Sequence, residues 1–138
     1  MPPAKPVDPS TACPCGSKNP LGECCLNYIE GKALAPTAEA LMRSRYTAHV
    51  LVAVDYLWQT WSPERRSKSS KADIAAWATN CEWLGLQILT VDAGKEKDNE
   101  GTVSFIAIFR QDGKLQHHQE TSLFRKTAEG WRYIDHKE

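Results

Sequence analysis

Apolar residues recur with a helical period across positions 37–61. Ala38, Leu41, Met42, Arg45, Tyr46, His49, Val52, Ala53, Tyr56, Leu57 and Thr60 share one broad face. Thr37 supplies an N-cap oxygen, Glu39 places a negative charge in the first turn, and Pro63 bars continuation. The pattern predicts one long helix over 37–61. Its second half, from Val50 to Trp58, is apolar nearly all round, as in a helix clasped by other elements rather than laid on a surface. Arg43, Arg45, Tyr46 and Asp55 are the polar interruptions in or beside this stretch.

Beyond Pro63 the residues from Ser62 to Lys71 are polar and basic, which predicts a solvated loop. A short helix follows over 73–80, with Ile74 and Trp77 as its apolar contacts. The period then changes to two. Strands are predicted over 82–92, 102–110, 115–127 and 131–136, separated by a charged hairpin loop, an Asp112-Gly113 turn and a turn at Gly130. Two helices followed by a four-strand meander make an α+β layout, with the long helix against one sheet face.

Alternation on the third strand sorts its side chains. His118, Glu120, Ser122 and Phe124 fall on one face, and His117, Gln119, Thr121 and Leu123 on the other. A His–Glu–Ser row on one face suits a ligand-binding or catalytic wall, and equally a polar face with cross-strand hydrogen bonds. His117 and His118 point oppositely and cannot share a metal ion.

The first 36 residues have a different character. Four prolines in the first nine residues exclude a helix, and no run of apolar residues long enough for a secretory leader follows. Residues 1–12 are expected to be a disordered tail. The longest apolar stretch, Val50 to Val54, is far below the ~20 residues that cross a bilayer. A soluble cytoplasmic protein without membrane contact is the expectation, and there thiol chemistry outweighs disulfides.

Five cysteines are present, and four of them lie within positions 13–25. Adjacent Cys24 and Cys25 do not readily bridge each other. Four thiols on a short segment suit one tetrahedral, structural zinc ion at Cys13, Cys15, Cys24 and Cys25. Pro14, Gly16, Ser17, Asn19, Pro20 and Gly22 are the turn formers that bring the second pair back to the first. Four free thiols, or an oxidised pair in a loop, is the competing reading. Cys81 stands alone before an apolar run and reads as a small core residue.

Charge adds an exclusion. The 138 residues carry 17 Lys+Arg against 17 Asp+Glu, so the net charge is zero. That argues against a protein that holds nucleic acid or anionic membrane by bulk electrostatics. Only Arg65, Arg66, Lys68 and Lys71 gather in one basic stretch.

Two stretches resemble known families. Cys13-Pro14-Cys15-Gly16-Ser17, eight residues between the inner cysteines, and Cys24-Cys25 resemble the SEC-C zinc motif of the SecA translocation ATPase and of many bacterial proteins. Lys18-Asn19-Pro20-Leu21-Gly22-Glu23 stands where that motif often carries a lysine- and tyrosine-rich stretch. The segment from Thr37 to Tyr46 is similar to the opening helix of the YchJ-like bacterial family, a family of unknown function. Asp55-Tyr56-Leu57, Thr60-Trp61, Trp83-Leu84-Gly85-Leu86, the segment Gly101 to Phe105, the row His118, Glu120, Ser122, Phe124 and the trio Trp131, Tyr133, Asp135 extend the likeness. The resemblance implies a SEC-C knuckle over 13–30. It also implies a nuclear-transport-factor-two-like α+β cone over 35–138, a long helix packed on a curved antiparallel sheet.

Three functions stay open. The first is a binding or adaptor module, whose knuckle contacts a protein or RNA partner and whose cone takes a small molecule or peptide. Here removal of the ion is expected to unfold about residues 10–30 and leave the cone folded. The second is a small enzyme using the cone cavity. Arg45, Tyr46, Trp83, His118 and Glu120 are the candidate lining, with His118 and Glu120 as an acid–base pair and the Glu120 pKa raised by desolvation. Against it stands a buried ion pair of Arg43 or Arg45 with Glu120 or Asp55. The third is RNA binding through the knuckle and the 65–71 stretch.

Overall fold

The protein is described here by a computed structural model covering residues 8–136. Of the expected tail, residues 1–7 lie outside the described residues. From Asp8 the backbone is held in place. The Asp8 carboxylate accepts from the Ser10 N–H at 2.9 Å, and Leu21 N–H donates to the Thr11 carbonyl at 2.8 Å. Ala12 bridges to Pro20, so these residues fold together with the cysteine segment.

A single 3-10 turn at Leu21–Glu23 leads into α1, Cys25–Ile29. Next comes α2, Ala38–Leu51, capped by Thr37, whose hydroxyl accepts from the Ala40 N–H at 3.0 Å. Its start is pinned to the sheet, where Ala38 N–H donates to the Gly94 carbonyl at 2.9 Å. A Cβ on Gly94 would lie 2.7 Å from that of Ala38, and the Gly94 φ is +74°, so glycine is needed there.

The single helix expected over 37–61 is two. Helix α2 stops at Leu51, and α3 spans Val54–Gln59. At the break Val52 N–H donates to the His49 carbonyl at 3.2 Å, and Ala53 N–H to the Ala48 carbonyl at 2.8 Å. This is the paired bond of a Schellman end, which normally takes glycine at its left-handed position. Here the residue is Val52, with φ 55° and ψ 46°. A β-branched side chain is strained there, at a cost of about 1–2 kcal/mol. No glycine or proline announces the break. The redirected chain returns the Leu57 carbonyl and the Thr60 hydroxyl to Arg45, which donates to them at 2.9 and 2.5 Å.

The solvated loop expected over 62–71 contains a helical turn, α4, Pro63–Arg66. Ser62 caps it, accepting from the Arg65 N–H at 3.2 Å, with Pro63 in the first turn, where its missing N–H costs nothing. Helix α5 spans Lys71–Asn80.

The sheet is an antiparallel meander of β1 (Cys81–Ala93), β2 (Glu100–Gln111), β3 (Lys114–Thr127) and β4 (Gly130–His136), in that order. Register shifts fall at Trp83/Gly85 and Ile88/Thr90 in β1 and opposite Leu123/Phe124 in β4, where Ile134 is the extra residue. Such bulges bend the strands and add twist. Burial alternates along β2, with Val103, Phe105, Ala107 and Phe109 inside. The α+β layout expected from the pattern is the one found.

Two apolar clusters organise the interior. One joins Leu41, Met42 and Tyr46 of α2 to Val103, Phe105, Phe124 and Trp131 of the sheet. The other joins Cys13, Cys15, Leu21, Cys25 and Leu26 to Ala48, Leu51, Leu57 and Ile74. The cysteine segment therefore shares a core with α2, α3 and α5. Cys81 is buried, as a core residue should be. Among the described residues no helix is long and apolar enough to cross a membrane.

Candidate functional site

The four N-terminal cysteines converge. Their Sγ atoms all lie within 4.8 Å of one another, with Cys15 to Cys24 at 3.7 Å and Cys24 to Cys25 at 3.9 Å. Four thiolates around an ion at bonds of ~2.3 Å sit about 3.8 Å apart in a tetrahedron. The donor set therefore fits a metal ion, and soft sulfur ligands select zinc-like or Fe–S chemistry over hard cations. Crowding works against four bare thiolates. Hydrogen bonds from Cys13 and Cys25 hold the Cys15 thiol well below its ordinary range, whereas hydrogen bonds from Cys13 and Cys15, with burial, push Cys25 well above it.

Neighbours brace the centre. Ser17 Oγ is 3.1 Å from Cys24 Sγ, and Thr47 Oγ1 of α2 is 3.6 Å from Cys13 Sγ. Arg43 Nη1 donates to the Cys15 carbonyl at 2.6 Å while its Nε holds Glu39 at 2.9 Å. Gly16, at φ +82°, lets the chain reverse between the two cysteine pairs.

The second feature is a cavity of about 390 Å³ between the helices and the concave face of the sheet. Met42, Leu57, Ile74, Trp77 and Phe105 supply its apolar walls; Arg45, His49, Trp61, Arg65, Asp73, Glu120, Ser122 and Tyr133 supply the polar ones. The register explains the β3 row. Glu120 faces Phe105 and Ser122 faces Val103 across the β2–β3 ladder, so both share the side of β2 that packs on the helices.

Glu120 is tethered by three side chains. Ser122 Oγ donates to its Oε2 at 2.6 Å, Tyr133 OH to the same oxygen at 3.0 Å, and His118 Nε2 lies 2.9 Å from Oε1. Burial works to raise the Glu120 pKa, but the bonds from Ser122, His118 and Tyr133 outweigh it and hold it below the ordinary carboxylate range. The upward shift that acid–base chemistry would want is not found. Burial, assisted by the Arg45 charge, lowers His49 to about 4, so its ring is neutral at pH 7.

Arg45 is 6% exposed and lies against the rings of Trp61 and Tyr133, its guanidinium carbon 5.8 and 5.1 Å from their centroids. Desolvation lowers its pKa to about 10, so it remains a cation at pH 7. The expected ion pairs with Glu120 and Asp55 do not form. Glu39 takes Arg43 and Lys71 takes Asp55, at 3.1 Å. Among the described residues no carboxylate forms an ion pair with Arg45.

The family model for the "YchJ, middle NTF2-like domain" matches residues 37–136. The chain belongs to the YchJ family. UPF0225 protein GSU1048 of Geobacter sulfurreducens is 40% identical over 123 residues, 89% of this chain and 76% of that one. The solution structure of RPA3114, a SEC-C motif containing protein from Rhodopseudomonas palustris, superposes with a TM-score of 0.84 at 37% identity, covering 92% of this chain and 98% of that one. A SEC-C motif containing protein from Psychrobacter arcticus superposes with a TM-score of 0.78 at 31% identity, over 92% and 82% of the two chains.

On this YchJ NTF2-like scaffold the expected pocket residues divide. Arg45 and Glu120 border the cavity. His118 stands behind Glu120, half exposed, and reaches the cavity only through it. Tyr46 and Trp83 lie outside the lining, meeting edge to face at 5.9 Å, with Trp83 also against His49, Trp77 and Phe109. Sequence reasoning missed Trp61, Arg65, His49, Asp73 and Tyr133. A signal existed for two of them. The Ser62-Pro63 start marks a helix that carries Arg65 inward, and the alternation Trp131, Tyr133 puts both on the inner face of β4.

Proposed function

We propose that this YchJ-family protein is a zinc-braced binding module. One zinc ion at Cys13, Cys15, Cys24 and Cys25 would fasten the SEC-C segment to α2, and the NTF2-like cavity would bind a small molecule. A site with four protein thiolates leaves no open position for a substrate, which suits a structural ion. The free thiols of all five cysteines agree with a reducing, cytoplasmic setting. The exposed rim of the knuckle, at Gly16 and 18–20, is the surface offered to a protein or RNA partner.

The cavity carries this reading. Its volume of about 390 Å³ lies in the range of ligand pockets, with an apolar floor and a set of convergent polar groups. The enzyme reading has less support. Three donors lock Glu120 as a low-pKa acceptor, which makes it a weak general base.

The test has two arms. Elemental analysis of the purified chain should give one zinc per chain. A fragment library read by ¹⁵N-resolved chemical shifts should map binders to the Trp61, Trp77 and Glu120 wall. Absence of zinc at that ratio defeats the first half, and binders mapping only outside the cavity defeat the second.

A further inference from the structure

We propose that the cavity is a site for a small organic carboxylate, its anionic group received by Arg45 and Arg65 and its apolar body lying against Leu57, Ile74, Trp77 and Phe105. This rests on the cavity being a ligand site, the reading given above.

The starting observation is a buried cation that has no ion pair among the described residues. Arg45 is 6% exposed, yet both its hydrogen bonds leave from Nη1, to the Leu57 carbonyl and the Thr60 hydroxyl. Among the described residues its Nε and Nη2 have no hydrogen-bond acceptor, on a side chain that borders the cavity. A buried charge is ordinarily paired. Glu120 borders the same cavity and acts on Arg45 through its charge, but His118, Ser122 and Tyr133 already hold its oxygens.

A second, independent observation lies on the same wall. Trp61 Nε1 and Arg65 Nε are shielded donors with no acceptor among the described residues, and both side chains line the cavity. Unmet buried donors are rare in folded proteins and call for an acceptor. Arg45 and Arg65 both lie over the Trp61 and Tyr133 rings, at 5.1–5.8 Å, so the two guanidinium groups are held in one place by the same pair of aromatics. Arg65 Nη1 already meets Asp135 Oδ1 at 3.4 Å, so the groups left for an anion placed there are Arg65 Nε and Trp61 Nε1, beside the cavity-facing edge of Arg45.

Charge balance chooses the kind of anion. Asp73 and Glu120 also border the cavity, and Asp135 pairs with Arg65 from beside it, so little uncompensated positive charge is left for the ligand. A dianion such as a phosphate monoester would meet both carboxylates. A singly charged, planar carboxylate fits the edge of a guanidinium through two parallel hydrogen bonds. The apolar floor supplies the rest of the ligand's surface.

The experiment titrates the zinc-replete full chain with phenylacetate, phenylacetamide, phenyl phosphate and N-acetylphenylalanine, followed by tryptophan indole and arginine Nε resonances. Phenylacetate is expected to shift Trp61, Trp77, Arg45 and Arg65, and to bind at least about tenfold tighter than the isosteric amide. Arg65→Gln should weaken phenylacetate binding more than phenylacetamide binding and so shrink that preference; an unchanged preference in this variant removes Arg65 from the anion site. Arg45→Met should shrink it too if it folds; the acid–amide comparison in the unaltered chain needs neither variant. Equal binding of acid and amide at the cavity overturns the anion assignment and keeps the ligand site. Tighter phenyl phosphate overturns the carboxylate. Cavity resonances that stay fixed with all four probes overturn the ligand site itself. Preference for N-acetylphenylalanine over phenylacetate upholds the carboxylate and makes its source a peptide C-terminus rather than a free acid.

Discussion

Thr47 Oγ1 lies 3.6 Å from Cys13 Sγ, so the middle of α2 touches one of the four clustered cysteines. The contact is buried, and around it Cys13, Cys15 and Cys25 share a core cluster with Ala48, Leu51 and Leu57. The expectation that the ion could be removed from an autonomous knuckle therefore changes. Chelation should lower the melting temperature of the whole protein, by roughly 4 °C for each kcal/mol of coupling. Circular dichroism with and without a strong zinc chelator reads it. A cone that melts unchanged while the Cys13–Ile29 resonances collapse would show the two parts to be independent.

Arg43 is the second tie between knuckle and helix, with Cys15 on one side and Glu39 on the other. Arg43→Met should cost about 1–2 kcal/mol of stability through the lost charge-assisted bond to the Cys15 carbonyl. It should also speed the loss of zinc to a colorimetric chelator. Glu39→Gln leaves the carbonyl bond in place and should speed it far less. Equal rates for both variants would place the effect in the Arg43–Glu39 pair instead.

His49 gives the protein an acid-sensitive step. Its ordinary pKa of 6.5 is lowered to about 4, chiefly by burial and then by Arg45 in the previous turn; Asp73 and Arg65 also border the cavity it faces. A group with a depressed folded pKa stabilises fully above its unfolded value and loses that contribution as pH falls towards its folded value. Between pH 6.5 and 4 the chain should therefore lose about 2–4 kcal/mol on this account. Urea denaturation across that window should show the slope in the natural chain and a flatter one in His49→Asn. Parallel slopes would assign the acid loss to other groups.

Val52 spends backbone strain to turn the chain between α2 and α3, at φ 55°. Val52→Gly relieves the left-handed penalty and loses only a half-buried side chain, so stability should rise by up to about 1 kcal/mol. Val52→Pro cannot adopt that φ and should destabilise strongly. Thermal melts of the two variants check both signs; a Gly variant less stable than Val would mean that the side chain's packing outweighs the strain.

Much of the fold was legible because it rests on local periodicity. The four cysteines announced themselves by type and spacing, and the turn residues between them by chemistry. The period of two marked β2 as a strand and put His118, Glu120 and Ser122 of β3 on one face; the structure pairs Glu120 with Phe105 and Ser122 with Val103, both buried. Helix α2 was legible from Thr37 and its apolar face, but its end was not. A Schellman end with valine in the glycine position carries no local signal, so α2 and α3 merged into one expected helix.

The cavity is where local pattern stops. Periodicity says which face a residue occupies, not which distant residue stands opposite, since that depends on how far the sheet bends and where the helix breaks. Arg45 was recognisable as an odd charge in an apolar stretch. That it pairs with no carboxylate was decided by Glu120 being taken by His118, Ser122 and Tyr133, and by the Val52 turn that brings Thr60 under its guanidinium. Arg65 read as one basic residue in a solvated loop; a single helical turn carried it over Trp61 and Tyr133. By itself the sequence determined the four-cysteine cluster, the α+β order and the faces of the strands, because neighbours in the chain encode these. The cavity, its two guanidinium groups and the seating of the cysteines on α2 were decided by tertiary structure, because each depends on contacts between residues far apart in the chain.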